Sequence, residues 1–279
     1  MKAGFIGAGK AGSSLGRHFV KNGISVSGYF SRSDDSSKEA ADSTGSTAFF
    51  DFTELVNESD IIFLTTPDGI ISEMAVQLAH AENGVPEDKI LCHLSGSVPS
   101  SVLSCAGSHC ASAHPMTAVS SRRSCLDGVF FTLEGETDAV TAVEKLLRRC
   151  GNPTARIRSD KKGVYHCAAS VASNLMVGLA GIALDLLADC GFERESALQL
   201  LTPLMTGNIA AVCERGPAAA LTGPVERGDL ETVRLHLDSL SGDRREIYRL
   251  LSRELVRLAG EKHNTNEDRA LLALLEEKK

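Results

Sequence analysis

The stretch Gly7-Ala8-Gly9-Lys10-Ala11-Gly12 decides the fold of the first half of this chain. It follows the apolar run 3–6 and precedes a helical pattern at 11–22, so the local order is strand, turn, helix. The glycines have the G-x-G-x-x-G spacing, which gives a tight turn, close approach of a pyrophosphate to the backbone, and close packing of helix on strand. Free N–H groups at the helix start then face the anion. We therefore predict a dinucleotide site here; a tight turn that binds nothing is the alternative.

The composition limits the class of protein. The chain has 279 residues, of which 43% are hydrophobic and 23% charged, as is typical of a soluble protein with two domains. A formal net charge of -7 argues against nucleic acid or an anionic membrane as a partner. No signal peptide is expected, and the most apolar stretch, 167–190, is interrupted by polar residues. We therefore expect a cytoplasmic protein that binds a small-molecule substrate.

The eight cysteines form no C-x-x-C pair, and their spacings match no zinc pattern. Most of them lie in apolar stretches, so we expect reduced, mainly buried thiols and no metal site. None lies beside a plausible base in the sequence, which disfavours a catalytic cysteine.

The residues that follow the second predicted strand, 25–30, bear on the choice of nucleotide. An NAD-binding domain usually has an acidic residue there for the ribose 2′-hydroxyl, whereas this chain has Ser31-Arg32-Ser33. A guanidinium flanked by two hydroxyls can bind a 2′-phosphate, which an acid would repel. We therefore predict NADP rather than NAD. Asp34 and Asp35 follow at once and weigh against this prediction, and a solvated loop is the alternative.

Three later apolar runs predict strands that end in small, polar or proline-containing loops. The runs 61–65, 89–93 and 110–113 precede Thr66-Pro67, Ser95-Gly96 and His114-Pro115, respectively. Ligands of open α/β sheets bind at the carboxyl ends of the strands. We expect the first two loops to contact the cofactor and the third to contact the substrate. The alternatives are a strand-to-helix connection capped by Asp68 and a histidine fixed by the backbone.

Further patterns complete the predicted organisation. Short strands are predicted at 47–50, 129–133 and 154–158, with an amphipathic helix at 137–150 before the last. This places a Rossmann-type domain at 1–158 and a second domain at 159–279. The second domain is predicted to be all helical, with helices at 161–189, 193–205, 208–213, 230–240, 244–258 and 267–275. Pro203 is expected to bend or end its helix.

The first long helix of the second half carries polar residues on an otherwise apolar sequence. At 100° per residue, Lys162, His166 and Ser173 fall within about 40° of one another, and Asn174 lies about 120° from Lys162. We interpret this stripe as one side of a site. The alternative is a solvated helix start.

The stretch Thr222-Gly223-Pro224 predicts a rigid turn between helices. Such a turn can present N–H groups and the Thr222 hydroxyl to a substrate. Arg227 and Asp229 follow and are able to pair with each other; the alternative is that they only fix the loop.

These features together resemble a known group of enzymes. A Rossmann domain followed by a helical domain, with a lysine and an asparagine on its first long helix, is similar to β-hydroxyacid dehydrogenases, ketopantoate reductases and pyrroline-carboxylate reductases. A closer resemblance, over nearly the whole chain, is to bacterial Rossmann-like NADP oxidoreductases whose helical half is a domain of unknown function. It rests on residues 93–97, 113–116, 162–174, 200–204 and 220–229. The resemblance implies an α/β domain with a parallel sheet and an all-α domain of the 6-phosphogluconate dehydrogenase C-terminal type. By analogy, the long apolar helices suggest a homodimer.

The broader group implies a role for individual residues. The nicotinamide exchanges hydride with a carbon that bears oxygen or nitrogen, a lysine acts as general acid or base, and an asparagine orients the substrate. Carried over by position, Lys162 is the acid or base and Asn174 the orienting residue. His166 is the alternative, because histidine titrates near neutral pH without help. The hydroxyacid enzymes place their asparagine one turn beyond the lysine, where this chain has His166.

We therefore predict an NADP-dependent oxidoreductase that acts on a small keto, hydroxy or imino acid. One alternative keeps the fold and uses a reduced deazaflavin as the hydride partner of NADP. Another is a sensor or scaffold that binds NADP without chemistry. The His114-Pro115-Met116 tripeptide also occurs in prephenate dehydrogenase-like enzymes, whose oxidative decarboxylation is a possible variant.

Overall fold

The structure, a computed structural model, describes residues 1–82, 84–107, 109–262 and 266–276. The chain divides into two compact units, Met1–Leu175 and Met176–Lys279. The sequence predicted the division between residues 158 and 159. The segment 159–175 lies in the first unit, and its Lys162 forms hydrogen bonds with Ser95 and Ser112 of that unit.

The first unit is built on an eight-stranded sheet with the order β3-β2-β1-β4-β5-β6-β7-β8. The strands are β1 (Lys2–Ile6), β2 (Ser25–Phe30), β3 (Thr47–Phe49), β4 (Ile61–Leu64), β5 (Ile90–His93), β6 (Cys110–Pro115), β7 (Phe131–Gly135) and β8 (Thr154–Arg156). Strands β1 to β6 are all parallel, so their carboxyl ends meet at one edge of the sheet. The predicted Rossmann-type domain is confirmed.

Strand β7 departs from the predicted parallel arrangement. It pairs antiparallel with β6, and His114 lies opposite Thr132 in the register. Parallel neighbours need a crossover, usually a helix, whereas residues 116–130 between these two strands contain none. The chain therefore turns back directly, and β8 then pairs parallel with β7.

Helices cover both faces of the sheet. They are α1 (Lys10–Lys21), α2 (Asp34–Thr44), α3 (Phe52–Asn57), α4 (Asp68–Ala79), α5 (Thr137–Arg149) and α6 (Lys162–Ser170). In β4, Ile61 and Phe63 pack into the core on one face, and Ile62 and Leu64 pack into the core on the other. Burial on both faces explains why this strand is apolar throughout.

Strands β1 and β4 lie side by side at the point where the strand order reverses. Chain order runs from β1 outward to β3 on one side and from β4 outward on the other. The connections leave these two carboxyl ends in opposite directions, which opens a crevice between them. The turn at Gly7 follows β1 and therefore lies at this crevice.

The second unit is helical in its described part, as predicted. The first unit ends with a π-helical turn at Val171–Leu175, which follows α6. The helices of the second unit are α7 (Met176–Asp189), α8 (Arg194–Arg215), α9 (Pro217–Ala220), α10 (Leu230–Asp238), α11 (Gly242–Ala259) and α12 (Asn266–Glu276). The prediction of two helices around Pro203 is wrong, because Pro203 lies inside α8. Val233, Val256 and Leu271 belong to the core of this unit.

The cysteines depart from the sequence expectation. All eight are free thiols, but only Cys92, Cys110 and Cys150 are buried, and the other five are exposed in this chain. Apolar neighbours in sequence predicted burial, yet several of these neighbours are themselves exposed on α7 and α8. No group of three or more potential metal ligands occurs in the described residues.

Two helical segments satisfy the length and composition of a membrane span, contrary to the expectation from the interrupted apolar run. They are Ser159–Asp189 and Arg194–Arg215, with mean hydropathies of 1.8 and 1.2. Core helices of soluble proteins satisfy the same criteria, so length and composition assign neither segment to a membrane.

Candidate functional site

The glycine turn after β1 has the backbone that its sequence predicts. Gly7 adopts a φ of +112°, a conformation that side chains disfavour, and a β-carbon there would lie 2.8 Å from the Thr65 backbone. A β-carbon on Gly12 would collide with the Gly7 carbonyl oxygen and the Thr65 hydroxyl. One on Gly9 would meet no atom within 4 Å. The first and third glycines thus permit close packing, and the second leaves open space above the backbone.

The start of α1 is suited to an anion. Gly9 is the N-cap residue and supplies no capping side chain, and the first turn contains no acidic residue. Lys10 and Ala11 begin the helix, so their N–H groups belong to the unsatisfied first turn. Ala8 is buried beneath the turn. A phosphate or pyrophosphate would satisfy these donors and interact with the helix dipole.

Of the residues that follow β2, Ser33 has a structural role and Arg32 is available to a ligand. Ser33 caps α2, since its hydroxyl accepts a hydrogen bond of 3.4 Å from the Ser36 N–H. Ser31 is half-buried, and Arg32 is exposed. In the described part of the chain, the Arg32 guanidinium makes no hydrogen bond or salt bridge. It is therefore free to bind an anionic group from a ligand.

The loops after β4 and β5 are joined by one carboxylate. Asp68 accepts hydrogen bonds from the hydroxyls of Ser95 (2.7 Å) and Ser97 (3.0 Å). It does not cap α4, which begins after Pro67 without a side-chain cap. The hydroxyl oxygen of Thr66 is buried and has no partner among the described residues. Such an atom beside an open loop is suited to a hydrogen bond with a cofactor.

Lys162 is anchored beneath this loop. Its Nζ donates hydrogen bonds to the Ser95 carbonyl oxygen (2.8 Å) and the Ser112 hydroxyl (2.6 Å). The Ser112 hydroxyl in turn donates to the same carbonyl oxygen over 3.2 Å. Nζ also forms an ion pair with Oε1 of Glu134 at 3.4 Å. Burial lowers the pKa of Lys162, and the nearby Glu134 carboxylate opposes that effect.

Glu134, the ion-pair partner of Lys162, is also held in place by several hydrogen bonds. Glu134 lies on β7 and accepts hydrogen bonds from the Ser100 N–H (2.7 Å), the Ser100 hydroxyl (2.9 Å) and the Ser159 hydroxyl (2.5 Å). Burial by itself would raise the pKa of Glu134, but these donors and Lys162 outweigh it, so the pKa is lowered. Glu134 is therefore ionised at neutral pH.

These contacts bear on the predicted acid or base. An ammonium group has three N–H donors, and Lys162 directs them to Ser95, Ser112 and Glu134. No donor remains for a substrate, and the side chain is almost completely buried. The geometry gives Lys162 a role in positioning the Ser95 loop and disfavours it as the group that transfers a proton.

Three aromatic side chains with titratable groups meet beside Gly96. Nδ1 of His114 lies 2.8 Å from the Tyr165 hydroxyl, and the two rings are perpendicular. The rings of His114 and His166 lie edge to face with centroids 5.9 Å apart. A β-carbon on Gly96 would lie 2.6 Å from Cδ2 of His166 and 2.9 Å from Nε2 of His114. Only glycine therefore leaves room for both imidazoles, and buried Pro115 ends the strand that carries His114.

Asn174 does not join this cluster. It is exposed, and its Oδ1 accepts a hydrogen bond of 2.9 Å from Ser173. Residues 171–175 form a π-helical turn rather than the regular α-helix that the predicted stripe assumed.

Thr222, Gly223 and Pro224 lie in the second unit, in the turn between α9 and α10. Gly223 has a φ of +102°, and its carbonyl oxygen accepts a hydrogen bond of 3.1 Å from the Arg227 N–H. Asp229 caps α10 by accepting from the Thr232 N–H at 3.0 Å. The Thr222 side chain is exposed. A substrate contact from this turn stays a prediction.

Sequence reasoning missed three residues of the site: Glu134, Tyr165 and Ser112. Glu134 lies just beyond the predicted strand 129–133 and was given no role, although an acid inside a strand that pairs with buried strands needs a partner. Tyr165 was seen beside His166 but assigned no contact. Ser112 is an isolated hydroxyl in an apolar run, which gives no signal from sequence alone.

Two family models match separate parts of this chain. Residues 2–91 match the model described as NADP oxidoreductase, coenzyme F420-dependent, and residues 129–255 match a domain of unknown function, DUF2520. The predicted resemblance to NADP oxidoreductases with a helical domain of unknown function is confirmed. The second match begins at β7, within the first compact unit. No curated protein matches the chain.

Solved structures share the fold over most of the chain. A protein of Thermotoga maritima is 27% identical with a TM-score of 0.75, over 94% of this chain and all (100%) of its own. A protein of Bacteroides fragilis assigned as an NADP oxidoreductase is 22% identical, with a TM-score of 0.72 over 91% of this chain and 97% of its own. Pyrroline carboxylate reductase of Plasmodium falciparum, solved with NADP bound, is 17% identical with a TM-score of 0.59, over 97% of this chain and 98% of its own.

Proposed function

We propose that this chain, which joins a segment similar to NADP oxidoreductases to a DUF2520 domain, is an NADP-dependent oxidoreductase acting on a small keto, hydroxy or imino acid. One observation carries the proposal: the uncapped start of α1 and the cluster of His114 and His166 lie at the carboxyl edge of the parallel strands β1 to β6. The nucleotide supplies the hydride. The chain binds and orients the substrate and transfers the proton.

The proposed nucleotide contacts follow the order of the strands. The backbone at Gly7–Gly12 holds the pyrophosphate, and Ser31, Arg32 and Ser33 lie at the end of the next strand, where a 2′-phosphate would bind. Thr66 and the Ser95-Gly96 loop follow the neighbouring strands on the other side of β1, toward the imidazoles. The step from β1 to β6 covers three strand spacings, about 14 Å, which leaves room for an extended ligand.

The proposed proton-transfer group is the imidazole of His166 rather than the lysine. His166 is half-buried and makes no hydrogen bond within the described part of the chain, so both its nitrogens are available to a substrate. His114 lies next to it across Gly96. Lys162 supports the loop between them, and Asn174 remains a substrate-orienting residue by sequence prediction only.

We further propose a homodimer located in the cytoplasm. Large apolar side chains are exposed along α7 and α8, among them Val177 (74%), Leu204 (62%) and Leu200 (54%). A second copy of the chain would cover such a surface. Light scattering of the purified protein measures its oligomeric state directly, and Leu204→Asp is expected to yield monomers. A monomeric wild-type protein would contradict this part.

The test of the main proposal has two stages. Titration with NADPH and NADH measures nucleotide binding, and tighter binding of NADPH is expected. Absorbance of NADPH is then followed with a panel of small keto acids and cyclic imino acids, with reverse reactions on the hydroxy and amino acids. Tight binding without hydride transfer to any member would support a sensor or scaffold and contradict the enzyme.

A reduced deazaflavin as hydride partner is the second candidate, because residues 2–91 match a model described as coenzyme F420-dependent. In this case NADP would exchange hydride with the deazaflavin and not with a keto or imino acid. Titration of the protein with that coenzyme, followed by its absorbance during turnover with NADPH, separates the two.

A further inference from the structure

The contact between Tyr165 and His114 distinguishes the two nitrogens of the His114 ring. The Tyr165 hydroxyl lies 2.8 Å from Nδ1 of His114, within hydrogen-bond distance. Nε2 of the same ring has no hydrogen-bond partner in the part of the chain that the structure describes. It is the atom of His114 nearest to the missing β-carbon of Gly96, at 2.9 Å. One nitrogen is therefore engaged by the protein, and the other is open.

The protonation states of His114 and Tyr165 set the direction of the hydrogen bond between them. Burial, followed by the neighbouring His166 and Lys162, lowers the pKa of His114 to about 4, and Asp68 opposes them. The imidazole is therefore neutral near pH 7, with one N–H and one lone pair. Burial also raises the pKa of Tyr165, while Thr132 opposes this rise, so the phenol keeps its proton. A phenol O–H is the better donor and an imidazole nitrogen the better acceptor.

We propose that His114 is a neutral hydrogen-bond donor to an oxygen atom of the substrate, and that Tyr165 is a positioning residue that holds its Nε2–H tautomer. The Tyr165 hydroxyl donates to Nδ1, which leaves the proton on Nε2 above Gly96. A neutral donor polarises a carbonyl or binds a carboxylate without adding positive charge. The substrate class is thus a small keto or imino acid with an oxygen in reach of Nε2. This inference rests on the proposed function.

The second unit contains a matched pair that serves as a control. His236 on α10 and Tyr248 on α11 have the same contact, with Nδ1 2.8 Å from the hydroxyl, ring centroids 5.6 Å apart and an interplanar angle of 89°. His114 and Tyr165 have the same centroid distance and angle. No predicted site residue belongs to the second pair. Tyr248→Phe therefore removes an equivalent hydroxyl outside the candidate site.

The first readout is independent of activity. Nitrogen chemical shifts of the imidazoles, measured by NMR across the neutral range, distinguish the two tautomers of each ring. We expect His114 in the Nε2–H form in the wild type and a mixed or reversed tautomer in Tyr165→Phe. Tyr248→Phe should change His236 in the same way and leave His114 unchanged. An Nδ1–H tautomer in the wild type, or an unchanged tautomer in Tyr165→Phe, would overturn the proposal.

The second readout is kinetic. Tyr165→Phe is expected to raise KM for a keto acid roughly tenfold, as loss of one substrate hydrogen bond implies, and to leave the Kd of NADPH unchanged. His114→Gln keeps an N–H donor, so it should retain more activity than His114→Phe, and adding Tyr165→Phe to it should have no further effect. Tyr248→Phe should match the wild type. Wild-type protein without any turnover would refute the proposed function and not the tautomer.

Discussion

The Nζ atom of Lys162 lies 3.4 Å from Oε1 of Glu134, and both side chains are almost completely buried. The pair joins α6 to β7, and its hydrogen bonds extend to Ser95, Ser100 and Ser112. An ion pair at this depth holds several loops in one arrangement, because each charge would be costly to bury without the other.

Breaking the buried pair should destabilise the fold. Lys162→Met or Glu134→Gln leaves a charged group buried without its partner, which typically costs about 3–5 kcal/mol. Urea denaturation measures the free energy of unfolding of each variant. Lys161→Met is the matched control, because the neighbouring side chain is largely exposed, and it should unfold like the wild type. A wild-type stability in Lys162→Met would show that the pair contributes nothing to the fold.

Gly9 and Gly12 should respond differently to alanine. A methyl group at Gly9 meets no atom within 4 Å, so Gly9→Ala should melt like the wild type while binding NADPH at least tenfold more weakly, since the methyl fills the space meant for the pyrophosphate. Gly12→Ala should lower the melting temperature as well, because its methyl collides with Gly7. Nucleotide titration and thermal melting of both variants check this. Unchanged NADPH affinity in Gly9→Ala would place the nucleotide elsewhere.

Arg32 should decide between the two nucleotides. Removal of its guanidinium in Arg32→Ala should weaken NADPH binding by roughly tenfold to a hundredfold, the effect of losing hydrogen bonds to a charged group. NADH lacks the 2′-phosphate, so its Kd should not change. Arg17→Ala, on the exposed side of α1, serves as the control for a general loss of positive charge. Equal weakening of both nucleotides in Arg32→Ala would contradict the assignment.

His93 should make stability depend on pH below neutrality. Burial and the charge of Lys162 lower its pKa from 6.5 to about 4. Between these pH values the unfolded chain binds more protons than the folded one, so the free energy of unfolding rises with pH. The contribution of His93 is present in full above pH 6.5. The contribution is roughly 3 kcal/mol.

Urea denaturation at several pH values between 4 and 7 tests this dependence. His93→Asn retains an acceptor for the Ser95 N–H, which donates to Nδ1 of His93 over 3.2 Å, but cannot titrate. The slope of stability against pH should therefore be smaller in this variant than in the wild type, and His114 should account for part of what remains. An identical slope in both proteins would show that His93 titrates normally in the folded state.

Most of the first unit could be predicted from sequence because its signals are local. The glycine spacing, the apolar run at 61–64 and the alternation of strand and helix patterns each depend on neighbouring residues. The same holds for the helical second half. Pro203 was misjudged, since a proline excludes one hydrogen bond while the surrounding turns still form a helix. The antiparallel direction of β7 was not predicted. The chain turns back between β6 and β7 without a helix, and no sequence pattern at 116–130 indicates this reversal.

Local sequence patterns predicted the glycine turn as the nucleotide site and placed the polar loops at the carboxyl edge of the sheet. Tertiary structure alone decided how the side chains of that edge pair. Lys162 was predicted as the acid or base, but its partner Glu134 and the serines around it come from other strands and loops, and the resulting geometry disfavours that role. Tyr165 meets His114 only because β6 and α6 are adjacent in the fold. Asn174 lies in a π-helical turn that the continuous helical pattern does not indicate. Spacing along the chain fixes backbone conformation, whereas the pairing of buried polar groups depends on strand order and helix rotation, which no local pattern encodes.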